Sequence, residues 1–364
     1  MPVARRKCRI RDSASPSTAN CARGRIGAPV SPRGNDMRRF IQWCTVIGLL
    51  LGLVPLAQAQ GSYPDRPIRF VVAFPPGGAT DTFFRLISNE LGTALGQSIV
   101  IENKGGAGGY IAWQMVAASP PDGYTVLVAE NAIGINQALF KKHPSGFNPL
   151  KDYDAVGAMG SVPVVWTVAN NVPANSFPEF VQWSKTVPGH FNYGHAGPGS
   201  VSHLVPEVIL DGAGMQAVPV PFKGGGPAAQ AVAGGFVAVV VSSLAVAKPQ
   251  MEGKLVKGLL VTSAKRSPAI PEVPTLKELG IKVADVDLEF WWGLFVPKGT
   301  PEPIKAKIEK ALQATMSNPV VRERLAKVDT DPSFAPAPAL TAKLEREITN
   351  WSKFIDAKGI KVEQ

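Results

Sequence analysis

Residues 68–95 read IRFVVAFPPGGATDTFFRLISNELGTAL, and this stretch decides the class of fold. Ile68 to Phe74 is an almost unbroken apolar run, which is typical of a strand buried on both faces. Large apolar side chains then recur at Phe83, Ile87 and Leu91, the spacing of one helical face. Prolines and glycines between the two patterns mark a loop. The stretch therefore predicts a parallel strand that leads through a Gly-rich loop into an amphipathic helix.

The same order of strand and helix patterns recurs along the chain. Ile99 to Glu102 and Tyr124 to Ala129 indicate further strands, with a helix at Tyr110 to Ala118 between them. Later strands are predicted at Phe191 to Gly194, Ala217 to Val220, Phe236 to Val241 and Lys257 to Thr262. Strands that alternate with helices are typical of a parallel sheet. We therefore expect two α/β halves, each a mainly parallel sheet flanked by helices.

The C-terminal third is expected to return to the first half. A strand is predicted at Val286 to Val296, followed by helices at about Pro301 to Met316, Pro319 to Ala326 and Leu340 to Ala357. We assign 60–163 and 286–364 to lobe 1 and 164–285 to lobe 2. No charged or low-complexity linker separates the halves. Because strands join them, we expect hinged lobes.

The N-terminal segment has the features of an export signal. Arg38-Arg39 precede an apolar run, and Ala57-Gln58-Ala59 form an A-x-A cleavage site. A membrane anchor is the alternative, but the apolar run is short for a span. We therefore predict a signal peptide at 37–59, cleavage before Gln60 and a periplasmic location. Residues 1–36 show no apolar period and are predicted to be a non-structural upstream extension.

Charge and cysteine placement exclude several classes of function. Ten of the 38 Lys and Arg residues and two of the 28 Asp and Glu residues precede residue 60. The remaining chain thus has 28 basic and 26 acidic residues, too even a balance for a nucleic-acid-binding surface. Cys8, Cys21 and Cys44 also precede the cleavage site. A mature chain without thiols has no disulfide, thiolate catalysis or cysteine-ligated metal.

Two Gly-rich loops are candidates for ligand binding. In an open parallel sheet, ligands bind at the carboxyl ends of strands, where helix N-termini present free backbone N–H groups. The loops Phe74 to Asp81 and Gly194 to Ser200 both have this placement. Each is equally compatible with a tight strand-to-helix turn that binds nothing. If the loops face one another, they form a two-sided clamp for an anion.

At these residues the chain resembles the solute receptors of tripartite tricarboxylate transporters, called Bug receptors. The resemblance covers essentially the whole mature chain as an ordered set of short motifs. These are Tyr63 to Ile68, Phe74 to Asp81 with Arg85, Glu102 to Gly109, Pro121 to Thr125, Tyr193 to Ser200 with His203-Leu204, Pro221 to Gly224, Pro271 to Thr275 with Glu278 and Gly280, and Trp292-Gly293. Each motif is weak alone, whereas their order is highly specific.

The resemblance implies a two-lobed periplasmic-binding-protein, or Venus-flytrap, fold in which a small carboxylate is bound in the cleft between the lobes for the membrane subunits of a transporter. It implies no catalytic residue, cofactor or metal, and the receptor is expected to be a monomer. The predicted ligand-binding residues come from the two loops: Phe74, Gly77, Gly78, Ala79, Thr80, Asp81, His195, Ala196, Gly197, Gly199, Ser200 and His203.

Some residues depart from the family pattern. Relatives often have Ser at the position of His195, Asn at Pro198 and His at Ser202. Relatives commonly have an Asp in the segment that corresponds to Ala238 to Val241, whereas all four residues are apolar in this chain. The second-lobe side of the pocket is therefore predicted to be more apolar.

Several conspicuous side chains have simpler explanations than ligand contact. Arg85 lies four residues after Asp81, so the expected role of Arg85 is an ion pair on the helix surface and not direct contact with a ligand. His195 and His203 have no third metal ligand nearby, so loop bracing or pocket lining is expected rather than zinc. Trp291 and Trp292 should face opposite sides of a strand, so at most one faces the cleft, and burial of both in the core is equally open.

An enzyme and a sensor are the rival functions. The chain has no Walker motif. Gly224 to Ala229 matches the dinucleotide-binding pattern by letters, but Pro227 interrupts it and no acidic residue follows at a suitable distance. A periplasmic hydrolase of the serine type would need G-x-S-x-G, which the sequence lacks. A periplasmic sensor that feeds a two-component system would bind the same ligand, so the sequence leaves it open.

Overall fold

The structure is a computed structural model that describes residues 63–140, 146–328 and 330–361. The predicted upstream extension 1–36 and signal peptide 37–59 lie outside those residues. Within the described ranges, no helix has both the length and the apolar character needed to cross a membrane.

The described residues form eleven strands, numbered in chain order. They are β1 (Ile68–Val72), β2 (Ile99–Asn103), β3 (Thr125–Glu130), β4 (Tyr153–Val162), β5 (Val164–Ala169), β6 (Phe191–His195), β7 (Ala217–Pro221), β8 (Val239–Ser243), β9 (Val256–Val261), β10 (Phe290–Pro297) and β11 (Ala335–Pro336). Ala107–Gly109 forms a single 3-10 turn after β2.

Eleven α-helices are found in the same ranges. They are α1 (Ala79–Leu95), α2 (Tyr110–Ala117), α3 (Ala132–Leu139), α4 (Pro149–Asp152), α5 (Phe177–Ser184), α6 (Val201–Ala213), α7 (Gly225–Ala233), α8 (Leu244–Glu252), α9 (Glu302–Ser317), α10 (Pro319–Ala326) and α11 (Ala337–Lys358). The predicted strand, Gly-rich loop and helix at 68–95 are confirmed as β1, the loop and α1.

The strands form two sheets, one for each predicted lobe. The first has the order β11-β4-β10-β3-β1-β2 and the second the order β7-β6-β8-β5-β9. In the first sheet β1 pairs in parallel with β2 and β3, and in the second β6 pairs in parallel with β7 and β8. The predicted two-lobed α/β fold is confirmed.

The strands that carry the chain from one sheet to the other explain why both sheets are mixed. β10 pairs antiparallel with β3 and β4, and β5 pairs antiparallel with β8 and β9. Each of them enters its sheet from the other lobe and therefore runs against its neighbours. Pro163 separates β4 from β5, where a residue without an N–H ends the ladder. The predicted lobe boundaries stay a prediction.

The strand predicted at Val286 to Val296 begins later, at Phe290. A turn precedes it, in which Asp287 accepts a hydrogen bond from the Glu289 N–H at 3.1 Å. Asp287 also forms an ion pair with Lys343 of α11. Asp287 thus anchors a turn to α11, and the residues before Phe290 do not extend the strand.

Both faces of the first sheet are covered, which accounts for the apolar runs in the sequence. Along β1, Phe70 and Val72 pack into one hydrophobic cluster, and Val71 packs into another. Trp292 and Trp291 follow the same alternation, and each is 1% exposed. Successive side chains of a strand point to opposite faces. Of the two alternatives for these tryptophans, burial of both in the core is the observed one.

Candidate functional site

Four helix N-termini meet around one cavity of about 40 Å³ between the two sheets. The helices are α1, α6, α7 and α8, and none of their N-cap residues forms a side-chain cap hydrogen bond. The first N–H groups of a helix have no intrahelical acceptor and carry positive partial charge. The lining residues are Phe74, Gly78, Ala79, Thr80, Glu130, Ala196, Ser200, Val201, Ser202, Gly225, Ala228, Val240, Val241, Ser242, Ser243, Val246 and Phe290. This arrangement favours an anion.

The loop before α1 is shaped by Asp81. Its buried carboxylate accepts hydrogen bonds from the Gly77 N–H at 2.9 Å, from Asn103 at 3.0 Å and from Arg85 at 3.0 Å. Burial alone would raise the pKa of Asp81, but the hydrogen bonds from Arg85, Gly77 and Asn103 outweigh it and lower the pKa. Gly77 has φ +81°, a conformation that favours glycine. The expected ion pair between Arg85 and Asp81 is confirmed at 2.9 Å.

The loop before α6 is braced by two histidines. His195 Nδ1 accepts a hydrogen bond from the Gly197 N–H, and His203 Nδ1 accepts one from the Gly199 N–H, both at 3.2 Å. Their rings lie 4.5 Å apart. Burial lowers the pKa of both, and with the added influence of His195 that of His203 falls to about 3. Both rings are therefore neutral near pH 7, and neither of these two glycine N–H groups is free for a ligand.

Hydroxyl groups complete the second loop. Ser200 Oγ donates to the Gly197 carbonyl at 2.7 Å, and Ser202 Oγ accepts from the Ala196 N–H at 2.9 Å. Among the described residues, no group of three His, Cys, Asp or Glu side chains is placed to bind a metal ion.

The predicted site residues fall into three groups according to the cavity that they line. Phe74, Gly78, Ala79, Thr80, Ala196 and Ser200 line it. Gly197 lines a wider adjoining cavity of about 660 Å³, which shares Phe74 and Ala196 with the first. Five residues line neither cavity and brace the loops from behind: Gly77, Asp81, His195, Gly199 and His203. Ligand contact for all twelve stays a prediction.

Sequence reasoning missed the one carboxylate in the cavity, Glu130. It is the last residue of β3, and its side chain accepts a hydrogen bond from the Thr80 hydroxyl. Thr80 Oγ1 in turn accepts a hydrogen bond from Trp292 Nε1 at 3.1 Å, and the Trp292 ring stacks on Phe83 at 4.0 Å. Burial raises the pKa of Glu130 to about 7. Its position at the carboxyl end of a parallel strand was the available signal.

At the C-terminal end of β8, Val240 and Val241 belong to the segment that was predicted to make the second-lobe side of the pocket more apolar, whereas Ser242 and Ser243 beside them were missed. Val240 and Val241 line the cavity beside Ser242 and Ser243, so this wall mixes apolar and hydroxyl groups. Ser243 is 1% exposed, and within the described residues its hydroxyl has no hydrogen-bond partner. An unpartnered buried hydroxyl is costly unless a ligand or water satisfies it.

The two lobes touch around the cavity. Asn136 of α3 donates a hydrogen bond to the Gly199 carbonyl at 2.9 Å. A Cβ placed on Gly108 would lie 2.5 Å from the Pro198 carbonyl oxygen, and one on Gly224 would lie 2.9 Å from Pro75. Residues of the first lobe thus contact loops of the second on both sides of the cavity. The lobes are thus in contact in this structure, and we call this arrangement the closed form.

Comparison with known proteins agrees with this geometry. Residues 83–360 match the family described as "Tripartite tricarboxylate transporter family receptor". The UPF0065 protein from the gbd 5′ region of Cupriavidus necator is 35% identical, over 82% of this chain and 91% of that protein.

Two solved structures are similar in both sequence and fold. The periplasmic binding protein BugD is 31% identical with a TM-score of 0.78, covering 83% of this chain and all of that one. MatC from Rhodopseudomonas palustris with bound malate is 33% identical with a TM-score of 0.73, covering 80% of this chain and all of that one. The resemblance that the sequence motifs predicted is confirmed, and the chain belongs to the receptor family of tripartite tricarboxylate transporters.

Proposed function

We propose that this protein captures a small carboxylate in the cavity between its lobes and delivers it to the membrane subunits of a tripartite transporter. The observation that supports this most strongly is the convergence of four helix N-termini on a cavity lined by no Lys, Arg or His. Helix N-termini bind anions without a cationic side chain. The malate bound to the similar MatC supports a carboxylate ligand.

We propose further that ligand binding closes the lobes and that this motion is the output. The ligand touches residues of both lobes only when they approach as they do here. Shifting a two-state equilibrium from 1:99 to 99:1 takes about 5.5 kcal/mol of differential affinity. Several charge-assisted hydrogen bonds, each about 1.5–3 kcal/mol, supply that amount.

A binding function also explains the side chains better than catalysis does. Ser200 donates to a backbone carbonyl, and the neighbouring histidines accept hydrogen bonds from glycine N–H groups behind the loop. A serine nucleophile needs a general base, most often a histidine, within hydrogen-bond reach. The hydrogen bonds formed by these residues therefore favour a receptor that leaves its ligand unchanged.

The proposed cellular context follows from family membership and the N-terminal sequence. We place the mature protein in the periplasm as a monomer, after cleavage between Ala59 and Gln60. A sensor that binds the same ligand and docks on a histidine kinase is the alternative. Loss of carboxylate uptake on deletion of this gene supports transport, whereas loss of a transcriptional response with uptake intact supports sensing.

A thermal-shift screen tests the function. The protein is unfolded, stripped of ligand, refolded and scanned against di-, tri-, amino and aromatic carboxylates, each beside its neutral amide analogue. A ligand at 100 times its Kd adds about 2.7 kcal/mol to the folded state. We expect at least one carboxylate, and none of the amides, to raise the melting temperature. A flat response to every carboxylate would overturn the proposal.

A further inference from the structure

The charge of the cavity is opposite to what a site for plain dicarboxylates needs. Glu130 is the one ionisable side chain among the lining residues. Arg85, which follows the first loop, forms an ion pair with Asp81, and neither of the two residues lines the cavity. A second carboxylate held within this inner cavity would thus meet an acid and no cationic side chain, since Lys223 lines only the adjoining cavity. Like charges in a water-poor site repel strongly.

The hydrogen bonds of Glu130 leave acceptor capacity directed at the cavity. Thr80 is the one donor among the described residues that reaches its carboxylate, and Thr80 is itself fixed by Trp292. Glu130 is 6% exposed. A carboxylate has two oxygens that together accept about four hydrogen bonds. A buried carboxylate with so few donors is stabilised by any cationic group that enters the site.

A second potential acceptor comes from the other lobe. Ser243 belongs to the second lobe, is 1% exposed and has a hydroxyl without a partner in the described part of the chain. It lines the same cavity as Glu130. An ammonium group has three donors and no acceptor, so a cavity that offers one acceptor from each lobe suits it.

We propose that Glu130 determines specificity by accepting hydrogen bonds from a protonated amine of the ligand, so that the receptor prefers amino-substituted carboxylates over their des-amino counterparts. The inference rests on the proposed function, in which helix N-termini bind the ligand carboxylate. Each charge of a zwitterion then meets an opposite charge in the site. A plain dicarboxylate satisfies only the helix N-termini.

Matched ligand pairs test the proposal because their members differ in the amine alone. Aspartate and succinate, glutamate and glutarate, and 2-aminoadipate and adipate are titrated by calorimetry at pH 7. For at least one pair we expect wild type to bind the amino member tenfold or more tightly. In Glu130→Gln, which keeps the side-chain size, the preference should fall below threefold. Glu102→Gln, which removes an equal charge from the half-exposed pair with Arg69, should keep it.

The number of protons that the wild-type protein releases or takes up when a ligand binds is a second test of the proposal. Burial and the Thr80 hydrogen bond are the two influences on the Glu130 pKa, which lies at about 7. The ionisable residues on the neighbouring β1 and α1 all have partners of their own: Asp81 pairs with Arg85, Arg69 with Glu102, and Glu90 with Arg324. An ammonium ligand favours the ionised carboxylate, so binding should release protons. Titrations in buffers of different ionisation enthalpy measure this exchange.

Three results would overturn the proposal. Des-amino ligands that bind as tightly as amino ligands, with proton uptake, would make Glu130 a protonated donor and leave the carboxylate receptor intact. An amine preference that survives in Glu130→Gln would assign it to other residues. If no member of any pair binds, the inference fails, and the wider carboxylate screen decides separately whether the proposed function fails with it.

Discussion

Replacing Gly108 by alanine should block closure of the lobes without touching the inner cavity. Gly108 lies in the 3-10 turn after β2, and Pro198 faces it from the second lobe. An added Cβ would lie 2.5 Å from the Pro198 carbonyl oxygen, well inside contact distance. This clash exists only when the lobes meet. The substitution therefore raises the free energy of the closed state relative to the open one.

The size of the effect follows from the clash. Inserting a methyl group into a packed contact costs about 1–3 kcal/mol. Since about 1.4 kcal/mol is tenfold in affinity, ligand binding should weaken about 5- to 150-fold. Gly108 also has φ +64°, where a non-glycine residue is strained. That strain is common to both states and lowers stability without changing affinity.

The control isolates the strain from the clash. Gly214 has φ +62°, and nothing lies within 4 Å of the Cβ it would gain. We expect Gly214→Ala to lose similar stability and bind within threefold of wild type, as measured by calorimetry with the tightest ligand of the carboxylate screen. If Gly108→Ala binds as tightly as Gly214→Ala, the contact between Gly108 and Pro198 does not form in the bound state, and the reasoning is wrong.

Three further predictions follow from the loops and the N-terminus. Asp81→Ala removes the carboxylate that accepts hydrogen bonds from Gly77, Asn103 and Arg85. The free energy of unfolding in urea should fall by about 2 kcal/mol, a value that is reduced because Arg85 is partly exposed. An unchanged midpoint of unfolding would contradict the bracing role of Asp81. The folded state keeps the His203 pKa at about 3, whereas an unfolded histidine titrates near 6.5, so the unfolded chain binds more protons between these values. Stability should therefore fall by about 1.4 kcal/mol per pH unit below about pH 6, and His203→Gln should flatten that slope if the assignment is right. The mass of the periplasmic protein should match a chain that begins at or near Gln60, and recovery of an uncut chain from the membrane would refute export by a cleaved signal.

Short sequence patterns predicted most of the fold. The apolar run of β1, the glycines after it and the helical spacing of α1 each reflect contacts within a few residues, so their sequence is sufficient to predict them. The start of β10 was misplaced by four residues. The composition of Val286 to Glu289 is typical of a strand. The Asp287 side chain, however, accepts a hydrogen bond from the Glu289 N–H, so these residues form a turn before the strand begins at Phe290. Pairing with α11 through Lys343, far along the chain, fixes that turn.

The site was predicted only where it is continuous in sequence. The loops before α1 and α6 carry their own glycines, which made both loops predictable. Ser242, Ser243 and the carboxylate of Glu130 were not found, because each lies at the end of what looks like an ordinary buried strand. Val240 and Val241 were placed at the pocket only through the family resemblance. Only the packing of the two sheets brings them to the same cavity. The roles of His195 and His203 likewise depend on which N–H groups their rings reach.

Small-angle scattering of the refolded, ligand-stripped protein with and without a saturating carboxylate tests the central claim most directly. The claim is that the ligand brings the two lobes together around a cavity formed by four helix N-termini. We predict a smaller radius of gyration with ligand, approaching the value calculated for the closed form described here. Superimposable curves at saturation would contradict closure as the output of binding.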